Sequence, residues 1–272
     1  MANKQQGGDG RRQTKAERKA DARVERERIQ RHMSSRKRNR NIGVALVAIA
    51  VVAIVIAVVI TQAGDGGGQL PTATELLAKA SSEAKTAGCD AVATIGPYNG
   101  VAADPNNPND PNYVDQSHIG PGGTFTSMPP LSSYPSQPPT SGPHNQTPLA
   151  GGVFDVPPAI DSAIHSLEHG GTIVWYDPAA SGDQLAQIKE FYRSASDSGG
   201  DRVIVAPYSY PDQGAAGSLP PGVQMALVAW HRLQTCSQPN LAAAFDFTSQ
   251  YSAPPTAGRT YAGEAPEAGK AM

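Results

Sequence analysis

The stretch "IHSLEHGGTIVWYDP", Ile164 to Pro178, sets His165 and His169 four residues apart with Glu168 beside the second. On a helix an i, i+4 spacing puts both imidazoles on one face, where they can share an ion. The order H-x-x-E-H is the inverted zinc-peptidase pattern, and in it Glu168 is the candidate general base. A catalytic zinc takes three protein ligands and keeps a position for water. The downstream carboxylates are poor third ligands. Glu190 lies in the middle of an amphipathic stretch, and Glu264 and Glu267 lie in a polar tail. As a peptidase site the pattern is therefore incomplete. Two other nucleophile readings are thinner. Cys236 near His231 would need a free thiolate, and Ser141 near His144 sits in a Gly-Pro turn that reads as a capped loop. The chain has no G-x-S-x-G elbow, no P-loop and no dinucleotide-binding glycine pattern.

The elements that position these residues lie far from neutral in charge. Residues 1–40 hold 14 Lys and Arg against 5 Asp and Glu, whereas the remainder holds 8 against 19. Between the two regions, 42–60 reads "IGVALVAIAVVAIVIAVVI", with no charged or polar side chain. As a helix it spans about 28 Å, close to the roughly 30 Å hydrocarbon core of a bilayer. The expectation is a single-pass transmembrane helix in the cell membrane. The basic block at 34–41, "SSRKRNRN", then sets the N-terminus in the cytoplasm and the larger C-terminal part outside, in the cell envelope. The same block suits anionic lipid headgroups. Nucleic-acid binding is not expected, because no aromatic residue is interleaved with the basic ones. A cleaved signal peptide ending at Ala63 is the competing reading, but the apolar run is long and some forty residues precede it. Cys89 and Cys236 both fall on the outer side, where an oxidising compartment favours one disulfide.

The expected organisation is a cytoplasmic basic segment (1–41), the span (42–60), a flexible linker (61–73), an outer globular domain (74–251) and a disordered tail (252–272). Thr74–Ala87 reads as an amphipathic helix, capped by Thr72 or Thr74 and ended by Gly88. From about 95 to 158 Pro, Gly, Asn and Ser dominate, so neither helix nor central strand can continue. Tyr113, His118, Phe125, Tyr134 and His144 within that stretch argue that part of it docks on the domain. Regular elements follow: a helix at Ala159–Glu168, strands at Thr172–Tyr176, Arg202–Pro207 and Val223–Trp230, and helices at Gly182–Ser196 and Asn240–Thr248. The fold class is α+β, a small mixed sheet with packed helices and a long Pro/Gly-rich loop region. Trp175 and Trp230 read as core or rim aromatics.

Two segments carry a resemblance: "PPTSGPH", Pro138 to His144, and "HSLEHGGTIVWYDP", His165 to Pro178, with weaker support from "SHIG" at Ser117–Gly120 and "ALVAWHRLQTC" at Ala226–Cys236. The chain resembles, over roughly residues 75–250, a bacterial and often actinobacterial membrane-anchored family catalogued as domain of unknown function 3105. The resemblance implies an anchored extracytoplasmic domain and no particular activity. Its segments hold His118, His144, His165 and His169, a candidate metal set whose imidazoles suit Zn²⁺ or Cu²⁺. Met128 and Met225 are candidate soft ligands for Cu(I), though such residues are more often core. Against metal binding stands a structural or interaction module of the cell envelope, in which His144 caps a turn while His165 and His169 bond carbonyls and Glu168. A metal-dependent hydrolase with Glu168 as base is the third reading. No protein partner is indicated.

Overall fold

Side chains alternate along Thr172–Tyr176 (β3), so that Val174 and Tyr176 enter one core while Ile173 and Trp175 enter another. The same alternation runs through Val203–Pro207 (β4) and Met225–Ala229 (β5), all of whose residues are buried. Strands apolar on both faces need cover on both faces, and burial of each large apolar side chain contributes roughly 1.5–3 kcal/mol. The computed structural model describes residues 70–99, 104, 107, 109–110, 113–121, 123–194 and 200–272. The expected basic segment at 1–41 and span at 42–60 lie outside the described residues, as does most of the linker. Among the described residues, no helix is long and apolar enough to cross a membrane.

The fold is α+β around a six-stranded mixed sheet. Short strands Ala93–Thr94 (β1) and Gly152–Val153 (β2) form its edges, and Arg232–Cys236 (β6) completes it. The strand order is β1-β6-β5-β3-β4-β2. β3 and β4 are parallel neighbours, joined by the helix Asp183–Ser194 (α3) as a crossover connection. β5 pairs antiparallel with both β3 and β6. The expected strand Val223–Trp230 is thus the first arm of a hairpin whose second arm, β6, the sequence pattern does not announce. β6 is only half-buried until Cys236, so its apolar signal is weak.

One face of the sheet is covered by three helices. These are Ala73–Thr86 (α1) through Leu76 and Ala80, α3 through Leu185, Ile188, Phe191 and Tyr192, and Leu241–Tyr251 (α4) through Leu241, Phe245 and Phe247. Thr72 is the cap of α1, in a reciprocal capping box with Glu75. Cys89 and Cys236 are joined, as expected, and tie the end of α1 to β6. The other face is covered by the helix Ile160–Glu168 (α2) and by the Pro-rich segment, which docks through Leu131 and Tyr134.

Residues 252–272 correct the expectation of a disordered tail. They run back across the domain as a strap. Ala253 N–H bonds the Gly170 carbonyl, Glu267 N–H that of Glu168, and Gly269 N–H that of His169. The Arg202 guanidinium clamps the strap through the carbonyls of Gly269 and Lys270. Low hydropathy hides this docking, because main-chain hydrogen bonds and the ion pairs of Arg232 with Glu264 and Arg259 with Asp246 hold it, with Ala253, Ala265 and Met272 adding apolar contact.

Candidate metal centre

Helix α2 enters behind Pro157 and Pro158 and lays Ile160, Ala163, Ile164 and Leu167 on the sheet at helical spacing. The neighbouring stripe carries His165 and Glu168, and His169 is the C-cap residue. Gly170 then takes φ +84°, and a Cβ there would come within 2.6 Å of the Ala253 side chain. Glycine is what allows the helix to stop at His169 with the strap passing beside it.

The loop Pro138–His144 supplies the next ligand candidate. The Tyr134 hydroxyl donates to the Pro143 carbonyl at 2.6 Å, and Ser141 Oγ donates to Asp115 at 2.6 Å. His144 N–H bonds the Ser117 carbonyl and Ile119 N–H bonds the His144 carbonyl, which sets His118 alongside His144 in a parallel bridge. Four imidazoles become contiguous. Ring centroids are 5.0 Å apart for His118 and His144, 5.0 Å for His118 and His165, 4.8 Å for His144 and His165, and 4.5 Å for His165 and His169.

Three of these rings are oriented by main-chain carbonyls. The Nδ1 atoms face Gly142 O at 2.7 Å from His144, Asn145 O at 2.5 Å from His165, and Ala271 O at 2.5 Å from His169. A carbonyl only accepts, so each Nδ1 carries its proton and each Nε2 presents a lone pair. Those Nε2 atoms meet other acceptors. His144 Nε2 lies 2.9 Å from Glu168 Oε2, His165 Nε2 lies 2.9 Å from His169 Nε2, and His169 Nε2 lies 3.0 Å from Glu267 Oε2. His118 Nε2 is 3.9 Å from Glu168 Oε2. The negative end of the α2 dipole points at the same place. Only positive charge set among these atoms, a proton or a metal ion, relieves their mutual repulsion. A backbone carbonyl on the far nitrogen is also the usual second support of a metal-binding histidine.

His144 is fully buried, and Glu168 and His165 are only 3 % and 4 % exposed, whereas His118 is solvent-exposed. Burial pushes the His165 imidazolium to a pKa below its ordinary value. His144 and His169 add to that shift, against the pull of the Asn145 carbonyl and of Glu168. The Lys270 ammonium bonded to Glu267 holds that carboxyl below the usual range.

The four histidines expected from the sequence therefore come together, and two carboxylates join them. Glu168, expected as a base or as a partner of His165 and His169, is engaged by His144. Glu267, dismissed as tail, sits against His169. The carbonyl bonds expected of His165 and His169 are present, although they do not go to the last carbonyls of their own helix. Their Nδ1 atoms bond Asn145 and Ala271, outside α2, and His144 does close a proline-rich turn. Met225 is buried on the opposite face of the sheet, and Met128 packs against the apolar core. Cys236 is disulfide-bonded, which rules out its pairing with His231 as a thiolate. His231 instead lies 2.9 Å from Asp115, a buried carboxylate that also accepts from Tyr98 N–H and from Ser141. Ser141 is fully buried and spends its hydroxyl proton on the equally buried Asp115, so it is structural.

A family model described as protein of unknown function (DUF3105) matches residues 128–267. The match begins later than the resemblance seen in sequence and extends further, taking in Glu267 and every group of the cluster except His118. No curated protein and no solved structure matches the chain.

Proposed function

We propose, for a chain that belongs to the DUF3105 family, that its folded domain binds a divalent transition-metal ion, Zn²⁺ or Cu²⁺, through the His/Glu cluster at the end of α2. One observation carries the reading. The Nε2 lone pairs of His144, His165 and His169, each oriented by a carbonyl at Nδ1, converge on one another and on two carboxylates. Imidazole with carboxylate is a donor set for Zn²⁺ and Cu²⁺, and no thiolate or thioether takes part. The proposal places this domain outside the cell membrane, tethered by the span at 42–60 with the basic block 34–41 at the inner lipid surface. The Cys89–Cys236 disulfide supports that placement, since such bonds persist in oxidising compartments.

The competing occupant is a proton, which would make the cluster an internal hydrogen-bond network of an envelope interaction module. Elemental analysis of the full chain, purified without a histidine tag after exposure to Zn²⁺, separates the two. Near-stoichiometric zinc in the wild type, lost in His144→Ala/His165→Ala, is the expected result. Absence of Zn²⁺ and Cu²⁺ uptake in titration calorimetry would overturn it.

A hydrolytic reading has one observation in its favour: Glu267 beside His169 supplies the third ligand that H-x-x-E-H requires. In it Glu168 is the general base, and Glu168→Gln abolishes turnover of model peptides while sparing metal content. The 2.9 Å contact between Glu168 and His144 favours binding without turnover instead.

A further inference from the structure

We infer that the cluster is a two-ion centre, built from two His₂Glu sets that meet at His165. The inference rests on the metal-binding reading above and deepens it. Among the described residues the ligand atoms fall into two sets. One is His118, His144, His165 and Glu168, the other His165, His169 and Glu267, with the atoms of each set within 4.8 Å of one another. Only His165 belongs to both. Its Nδ1 is taken by the Asn145 carbonyl at 2.5 Å, so it offers one lone pair and serves one ion. That lone pair stands 2.9 Å from His169 Nε2, which in turn is 3.0 Å from Glu267 Oε2.

Two ligands held about 2.1 Å from one ion are about 3 Å apart at a right angle and about 3.4 Å apart at the tetrahedral angle. His165 with His169, and His169 with Glu267, therefore already stand near the spacing of ligands on one ion. His118, His144 and Glu168 remain for the other. In that set His144 is already 2.9 Å from the carboxylate, while His118 is 3.9 Å away on a more exposed segment and closes the set by a small shift. Each ion thus has two imidazoles and one carboxylate, with positions left for water. The His118 ring stacks on His165 at 5.0 Å, so the two sets share a wall.

The test uses Zn²⁺ with the full chain and two sparing variants, His118→Ala and Glu267→Gln, chosen because both side chains are substantially exposed. Calorimetric titration should give two equivalents in the wild type and one tight equivalent in each variant, with circular dichroism showing both folded. A single equivalent in the wild type overturns the two-ion centre and leaves the metal-binding reading intact. Two equivalents retained in both variants overturn this ligand assignment. No uptake in the wild type overturns both readings. If one variant fails to fold, the other still reports on its own set.

Discussion

At the scale of single residues, His165 concentrates the argument, since it touches both ligand sets while its pKa is depressed by burial. A histidine whose folded pKa lies below its ordinary value of about 6.5 takes up its proton more readily in the unfolded chain. Its contribution to stability is complete above about pH 6.5 and is lost as pH falls through the folded value. In EDTA, melting temperature should therefore hold from pH 8 to about 6.5 and fall below it. His165→Gln should flatten the fall, and a profile identical to wild type would detach the pH dependence from this ring. Asp115 gives the second prediction. Fully buried, it accepts from Tyr98 N–H, Ser141 and His231. Asp115→Ala strands these groups and should cost about 3 kcal/mol in denaturant unfolding. Local spacing made His165, Glu168 and His169 visible in the sequence, and the family resemblance added His118 and His144. Glu267 was not visible, because its approach to His169 follows from hydrogen bonding of a distant strap and leaves no periodic mark.

At the scale of elements, the joint between α2 and the strap decides whether the cluster assembles. Gly170 has both a left-handed φ and no room for a Cβ beside Ala253. Gly170→Ala should cost about 1–3 kcal/mol and lower metal affinity by moving the strap; unchanged zinc binding at a lowered melting temperature would separate the joint from the site. Arg202 clamps the strap through main-chain carbonyls alone. Arg202→Ala should therefore expose residues 252–272 to limited proteolysis, more so without zinc than with it. Helices α1, α2, α3 and α4 were legible from their apolar periods and flanking signals, and strands β3, β4 and β5 from their continuous apolar runs. β1 and β2 are two residues each and β6 is half-buried, so pairing with a neighbour, rather than any pattern of their own, makes them strands.

At the scale of the whole molecule, the sheet is insulated on one face by three helices. On the other face it presents one helix and a proline-rich loop, which is where polar chemistry can be buried against an apolar floor. A ligand that binds the folded state alone stabilises it by mass action, about 2.7 kcal/mol at a hundredfold excess over its dissociation constant. Zinc should raise the melting temperature of the wild type and leave that of His144→Ala/His165→Ala unmoved. Disulfide loss acts through the unfolded chain. Cys89 and Cys236 are 147 positions apart, and Cys89→Ser/Cys236→Ser should cost about 2–5 kcal/mol in urea unfolding.

That bond also makes a closed hoop of the polypeptide. His118, His144, His165, Glu168 and His169 all lie on the hoop, and Glu267 lies on the free arm beyond it. A single protease nick between 90 and 235 leaves both fragments covalently joined, with those five side chains still on one molecule. A nick in the arm releases its carboxylate for good. Trimming from the C-terminal side would thus act as a one-way dial on the centre, and gel mobility before and after reduction would tell the two kinds of cut apart.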